Sequence, residues 1–208
     1  MTTVLLPPVA DSFHVVHGKV RVSQMLQLPV EPACASDIAD RIAAANTHYL
    51  VDMYADSITR LTLGVVRLVG RGGDLDFSLT AHGPSILRLR MQEDGQLLPG
   101  AVTALFRIVG GLATVAAARD GILVLRLELR HGLAPTGVAL EADVLVDRYE
   151  PLLLALPLPQ KVRIALYRAT QARLHRAITT AFLKALITQV VRCPSSAALV
   201  ESAPIHPR

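Results

Sequence analysis

The chain contains no tryptophan, and only four phenylalanines and four tyrosines among its 208 residues. So few rings leave little on which bases or sugars could stack, which counts against single-stranded nucleic-acid binding. Its two cysteines, Cys34 and Cys193, are too sparse for a disulfide framework, and neither a CxxC pair nor a Cys/His metal spacing occurs. Reduced thiols in a cytosolic protein are the expectation. Long apolar runs are missing too: nothing approaches the roughly 18 consecutive apolar residues that a membrane-spanning helix requires. The stretch from Met1 to Pro8 has no basic leader and is broken at once by Pro7 and Pro8. These absences predict a soluble, cytoplasmic protein.

Catalytic motifs are also lacking. Gly70-Arg71-Gly72-Gly73 and Gly110-Gly111 are glycine-rich, but they join strands and do not lead into a helix, so neither offers the dipole end that cradles a phosphate. Ser12, Ser78 and Ser85 lie outside any nucleophile elbow. His14 and His17, three residues apart on an extended segment, point to opposite faces and cannot share a metal without a bulge. Asp74 and Asp76 share one strand face, which reads as solvated. No catalytic residue, cofactor or metal is expected, and the chain reads as a binding protein and not an enzyme.

Aliphatic residues are abundant: hydrophobic residues make up 51% of the chain, almost all Leu, Val, Ile and Ala. Phe13 to Leu28 reads as extended, with Gly18 marking a bulge or a bend. Ser36 is a candidate N-cap with Asp37 and Asp40 near the positive end of the dipole. Ile38, Ile42, Ala45, Tyr49 and Met53 then recur at helical spacing over 36–57. A strand block follows. Leu61, Leu63 and Val65 alternate, then Leu75, Phe77, Leu79 and Ala81, then Leu87, Leu89 and Met91. Asp94-Gly95 and Asp120-Gly121 are hairpin signals. Ala101 to Ala118 reads as two strands or one kinked strand, with a short buried helix over 102–108 equally compatible with its periodicity. Leu123 to Arg130 alternates leucine with charge and is the clearest half-buried strand, and 138–146 supplies another. An apolar linker, 151–159, leads into a closing helix from Gln160 to Val191, with Leu174, Ile178, Ala181 and Ala185 on one face and Pro194 beyond its end. The pattern predicts an α+β fold: a curved antiparallel sheet of about six to eight strands packed on an N-terminal helix and a long C-terminal helix. Residues 13–192 form one domain between tails at 1–12 and 193–208.

Acid is scarce where the chain is most basic. Beyond Glu150 there are eight basic residues and one acid, a net +7, which leaves −3 for the first 150 residues of a chain whose total is +4. Arg163, Arg168, Arg173, Arg176 and Lys184 put this charge on the closing helix. Such a helix suits an anionic membrane surface or a partner chain, or simply solvates its charges. The basic residues are not gathered on one face and no recognition module is visible, so nucleic acid is disfavoured.

The run from Ile58 to Ala81, a helix end and two alternating strands around a glycine turn, with Asp120-Gly121-Ile122-Leu123-Val124 later, resembles bacterial members of the tubular lipid-binding superfamily. The order strand, helix, antiparallel strands, long C-terminal helix also resembles the helix-grip fold of the START and Bet v 1 type. Both resemblances span about residues 13 to 192, and each implies an apolar groove or cavity between sheet and helix. No functional residue carries over from either. They point to a binder of an apolar ligand, such as a lipid or acyl chain. Leu63, Leu79, Leu89, Met91, Leu125, Leu127 and Ile178 are its candidate walls. The alternative is a structural or scaffold role through homo-oligomerisation or peripheral membrane attachment by the basic helix.

Overall fold

A computed structural model describes residues 6–71, 74–80, 83–92, 100–115, 120–132 and 137–191. The fold is α+β. Its eight strands are β1 (Ala10–Val16), β2 (Lys19–Pro29), β3 (Val66–Arg71), β4 (Asp74–Leu79), β5 (Ser85–Met91), β6 (Ala101–Gly110), β7 (Ile122–His131) and β8 (Val138–Tyr149). They form one open antiparallel sheet in the order β1-β2-β8-β7-β6-β5-β4-β3. Two helices, α1 (Pro32–Ala44) and α2 (Thr47–Leu61), carry the chain from β2 to the far edge at β3, and six strands then return by neighbour-to-neighbour steps. Bulges in the β2–β8, β4–β5 and β5–β6 pairings bend the sheet. After β8 come a one-turn helix α3 (Leu152–Ala155), helix α4 (Gln160–Tyr167), a π-helical segment (Arg168–Ala172) and the long helix α5 (Arg173–Val191).

Period-2 alternation decides which face meets the helices. Leu26, Ala142, Leu127 and Val102 stand in cross-strand register and are all fully buried, as are Val144, Leu125 and Ala104 one pair along. Helix α5 lies over this face with Ile178, Phe182, Leu183, Leu186, Ile187 and Val190 buried. Its far end is pinned to the first helix pair: Arg41 Nη1 donates to the Val190 carbonyl at 3.2 Å, and Tyr49 Oη donates to Gln189 Oε1 at 2.7 Å. Tyr54 of α2 packs edge-on against Phe182 and Phe77. The opposite face carries charge in register. Arg90 pairs with Asp74 at 2.8 Å and Arg88 with Asp76 at 2.9 Å, while Arg126 reaches Asp143 at 2.6 Å and Glu141 at 3.4 Å.

Several sequence expectations are corrected. Phe13–Leu28 is a hairpin, because His17 and Gly18 both take positive φ (50° and 78°) and Val16 pairs with Lys19. Strand β1 therefore begins at Ala10, inside the stretch read as a tail. The helix expected over 36–57 is two helices. The first starts at Pro32, which suits a helix N-terminus because its missing N–H would have no partner there, so Ser36 is not a cap. The second is capped by Asn46, whose side chain accepts from the Tyr49 N–H at 2.9 Å. Leu61 closes α2, and Leu63 lies in the turn before β3, not on a strand. Ala101–Gly110 is a strand and not a helix. Asp120-Gly121 leads into β7 without a positive φ; a Cβ at Gly121 would sit close to Ile108, 3.1 Å from its Cδ1. The linker 151–159 contains α3. Asp76 is fully buried under Arg88, so that strand face is ion-paired and not simply solvated. Asp94-Gly95, Pro194 and the tail at 193–208 fall outside the described residues.

Candidate functional site

The inner face of the sheet is longer than the packed part of α5. Where α5 meets the π-helical segment, a cavity of about 180 Å³ lies between helix and sheet. Strands supply Val22, Phe77, Leu87, Ile108, Leu123 and Val146, and α2 supplies Tyr54 and Ile58. The helical wall is Tyr167, Gln171, Leu174, His175 and Ile178, whose spacing places them on one side of the helix. Leu174 is 46% exposed, so the cavity reaches the surface beside it. None of the lining residues is acidic or basic apart from His175.

Two local features shape this wall. Val146 and Tyr149 are an odd number apart, yet both line the cavity. The β8 bulge explains it: Val22 pairs with Val146 but Val20 with Tyr149, and the extra residue is taken up by Arg148 at φ 52°. Gly111, at φ 121°, lets the chain run against β5, where a Cβ would lie 2.4 Å from the Ile86 carbonyl oxygen. That approach lets the Ala113 N–H donate to the Ile86 carbonyl at 2.8 Å and fixes Ala113 in the wall.

The polar groups are uncharged and oriented. Tyr149 Oη donates to the Ala113 carbonyl at 2.7 Å and accepts from Gln171 Nε2 at 3.3 Å. With the hydroxyl proton so committed, Gln171 Oε1 points elsewhere, buried and without a partner; His175 Nε2 is in the same condition. Burial drives the His175 pKa down to about 4, with Asp11 opposing, so its imidazole is neutral at ordinary pH. Burial pushes Tyr54 and Tyr149 up to about 12, opposed by Thr179 and Gln171 respectively, and raises Tyr167 as well. Gln24 on β2 is fully buried with neither amide atom partnered, but it does not line the cavity. Among the described residues no three His, Cys, Asp or Glu side chains converge as a metal site.

Of the seven wall candidates from sequence, only Ile178 lines the cavity. Leu89, Leu125 and Leu127 are fully buried in the packed core, and Met91 is half-buried against it. Leu63 is 91% exposed and Leu79 is 38% exposed, so both stand outside. The basic residues divide similarly. Arg163 turns inward and donates to the Leu154 carbonyl, Arg176 binds Asp11 at 3.0 Å, and Arg168 lies over the Phe13 ring. Arg173 and Lys184 are exposed. Tyr149, Gln171 and His175 were not singled out from sequence; the spacing 167, 171, 174, 178 was the available signal.

No protein-family model matches the chain, and no curated protein matches it. Solved structures resemble it at low identity. Ara h 8.0201 is 14% identical with a TM-score of 0.35, the match covering 81% of this chain and 97% of that one. The protein XoxI from Bacillus cereus is 12% identical with a TM-score of 0.37, over 78% and 95% of the two chains. Norcoclaurine synthase from Thalictrum flavum, in complex with dopamine and hydroxybenzaldehyde, is 10% identical with a TM-score of 0.39, over 90% and 98%. The tubular lipid-binding resemblance is not shown by them. No helix among the described residues is long and apolar enough to cross a membrane, which says nothing of strands.

Proposed function

We propose that the protein is a non-enzymatic carrier that holds a small, uncharged, apolar ligand between the sheet and the α4–α5 helical wall. The observation that carries this reading is the cavity itself: about 180 Å³, walled by aliphatic and aromatic side chains, with a neutral histidine, a glutamine and tyrosine hydroxyls as its polar groups. A dry apolar cavity of roughly 150 Å³ is enough to take up benzene. The ligand is accordingly the size of one or two rings or a short acyl chain, not a two-chain lipid. A charged ligand would lose its hydration here and find no counter-charge.

Naphthol serves as the probe, because it is apolar, neutral and fluorescent. The wild-type protein binds it, and Leu87→Trp, which fills the cavity from its half-buried sheet wall, weakens binding at least about tenfold while shifting stability by only about 1–3 kcal/mol. Unchanged affinity in that variant, or no binding by the wild type, contradicts the reading.

A further inference from the structure

Exposed aliphatic residues fall in two groups among the described residues. Val16, Leu152, Leu158, Val162 and Leu166 lie on the β1–β2 hairpin and over 152–166, and the others lie in segments that also line the cavity. Leu61, Leu63, Val65, Leu79, Leu112 and Leu174 are all substantially exposed, and each is a chain or register neighbour of a cavity-lining residue or lines the cavity itself. Thr62 and Val66, which flank Leu63 and Val65, line the cavity. Leu79 pairs with Val66 across β3 and β4. Leu112 precedes the wall residue Ala113 and donates its N–H to the Ser85 carbonyl, next to the wall residue Ile86. Leu174 is itself both wall and surface. Together they make an apolar rim round the mouth.

Leu63 is the most telling of them. Its φ is 53°, in the left-handed region where a residue with a branched side chain is strained and Asn, Asp or Gly is usual. It is also 91% exposed. Neither the backbone nor internal packing therefore accounts for a leucine at this position.

The charge around the rim is predominantly positive, with Asp56 on Arg60 as an exception. No Asp or Glu occurs between Ser57 and Gly73, between Phe77 and Gln92, between Gly100 and Arg119, or between Pro151 and Val200, and these segments include everything that forms the rim. Arg67 is exposed and held beside the Leu63 turn by its Nε, which donates to the Gly64 carbonyl at 3.3 Å. Arg173 is exposed next to Leu174, and Arg60 lies one residue from Leu61 with Asp56 already bound to it at 3.6 Å.

We propose that this rim docks on an anionic membrane surface, with the leucines entering the boundary between headgroups and acyl chains and Arg67 and Arg173 meeting lipid phosphates. A second copy of the chain fits less well. A two-fold contact through the rim would bring Arg67 and Arg173 against like charges, while Asp56 is already bound to Arg60. The docking stands on the rim alone. It extends the carrier reading by making the bilayer the phase with which the cavity exchanges ligand.

Co-sedimentation with vesicles of equal parts phosphatidylcholine and phosphatidylserine tests it. The full chain binds these vesicles, binds pure phosphatidylcholine vesicles more weakly, and loses affinity as salt is raised. Leu63→Asp lowers vesicle binding about tenfold or more. Asp tolerates the left-handed backbone and Leu63 does not line the cavity, so this variant folds and binds naphthol as the wild type does. Vesicle binding by Leu63→Asp equal to wild type overturns the proposal, as does a dimer in light scattering that ignores vesicles. Failure of naphthol binding with vesicle binding intact would overturn the carrier reading and leave the docking surface standing.

Discussion

Burial gives individual side chains in the cavity wall properties that their residue types do not have in water. His175 is the clearest example, with a pKa of about 4 in the folded protein against 6.5 for an unperturbed histidine. Between those values the unfolded chain takes up a proton that the native chain refuses, so stability is complete above about pH 6.5 and falls as the pH drops towards 4. The full effect is roughly 3 kcal/mol. Urea unfolding from pH 7 down to pH 5 checks it: His175→Gln should flatten that part of the curve, whereas parallel curves for variant and wild type would contradict the account. Sequence reading passed over this residue because its neighbours Arg173 and Arg176 are exposed, and a histidine between them reads as surface. Its Nε2 is buried, although the residue as a whole is half-buried, because residue 175 lies one turn after Gln171 and one turn before Thr179, on the side of the helix that meets the sheet.

At the scale of elements, α5 has two halves with different work. From Phe182 to Val190 it is close-packed on the sheet and the first helix pair, and around Leu174 it borders open space. Leu183→Ala should cost about 2–5 kcal/mol in urea unfolding, because the close-packed surroundings cannot collapse into the gap. Leu174→Ala should cost no more than about 0.5 kcal/mol, as surface changes do, yet weaken naphthol binding. A comparable loss of stability in both would mean that the helix is uniformly packed. The strands were more legible than the helices. Leu123–Arg130 alternates strictly, and β7 is a central strand with its leucines on one face, as that alternation required. The buried stripe of α5 was legible only in part: Ile178 is buried as expected, but Leu174 is exposed and Ala181 and Ala185 are not fully buried. The helix turns the larger Phe182, Leu183, Leu186 and Ile187 to the sheet and leaves both alanines half-buried beside them. The break between α1 and α2 escaped notice because Ile38, Ile42, Ala45 and Tyr49 continue the helical period straight across the Asn46 cap.

On the scale of the whole molecule, packing and charge are both polarised. One end of the sheet–helix sandwich is filled and pinned by Arg41 and Tyr49. The other is open, apolar and poor in acid, Asp56 on Arg60 aside. Sequence composition gave the aliphatic surplus and the charge asymmetry, but not their meeting place. The cavity mouth is assembled from the α2–β3 turn, the β4–β5 end, the segment after β6 and one helical turn, and these are far apart along the chain. The most direct test of the central claim, that the cavity takes up a small apolar molecule, is methyl NMR of the protein titrated with naphthol. We predict shifts concentrated in the methyls of Ile58, Leu123, Leu174 and Ile178, with Leu183 and Leu186 unmoved. Absence of shifts at saturating naphthol, or shifts confined to the outer rim at Leu63 and Val65, would contradict it.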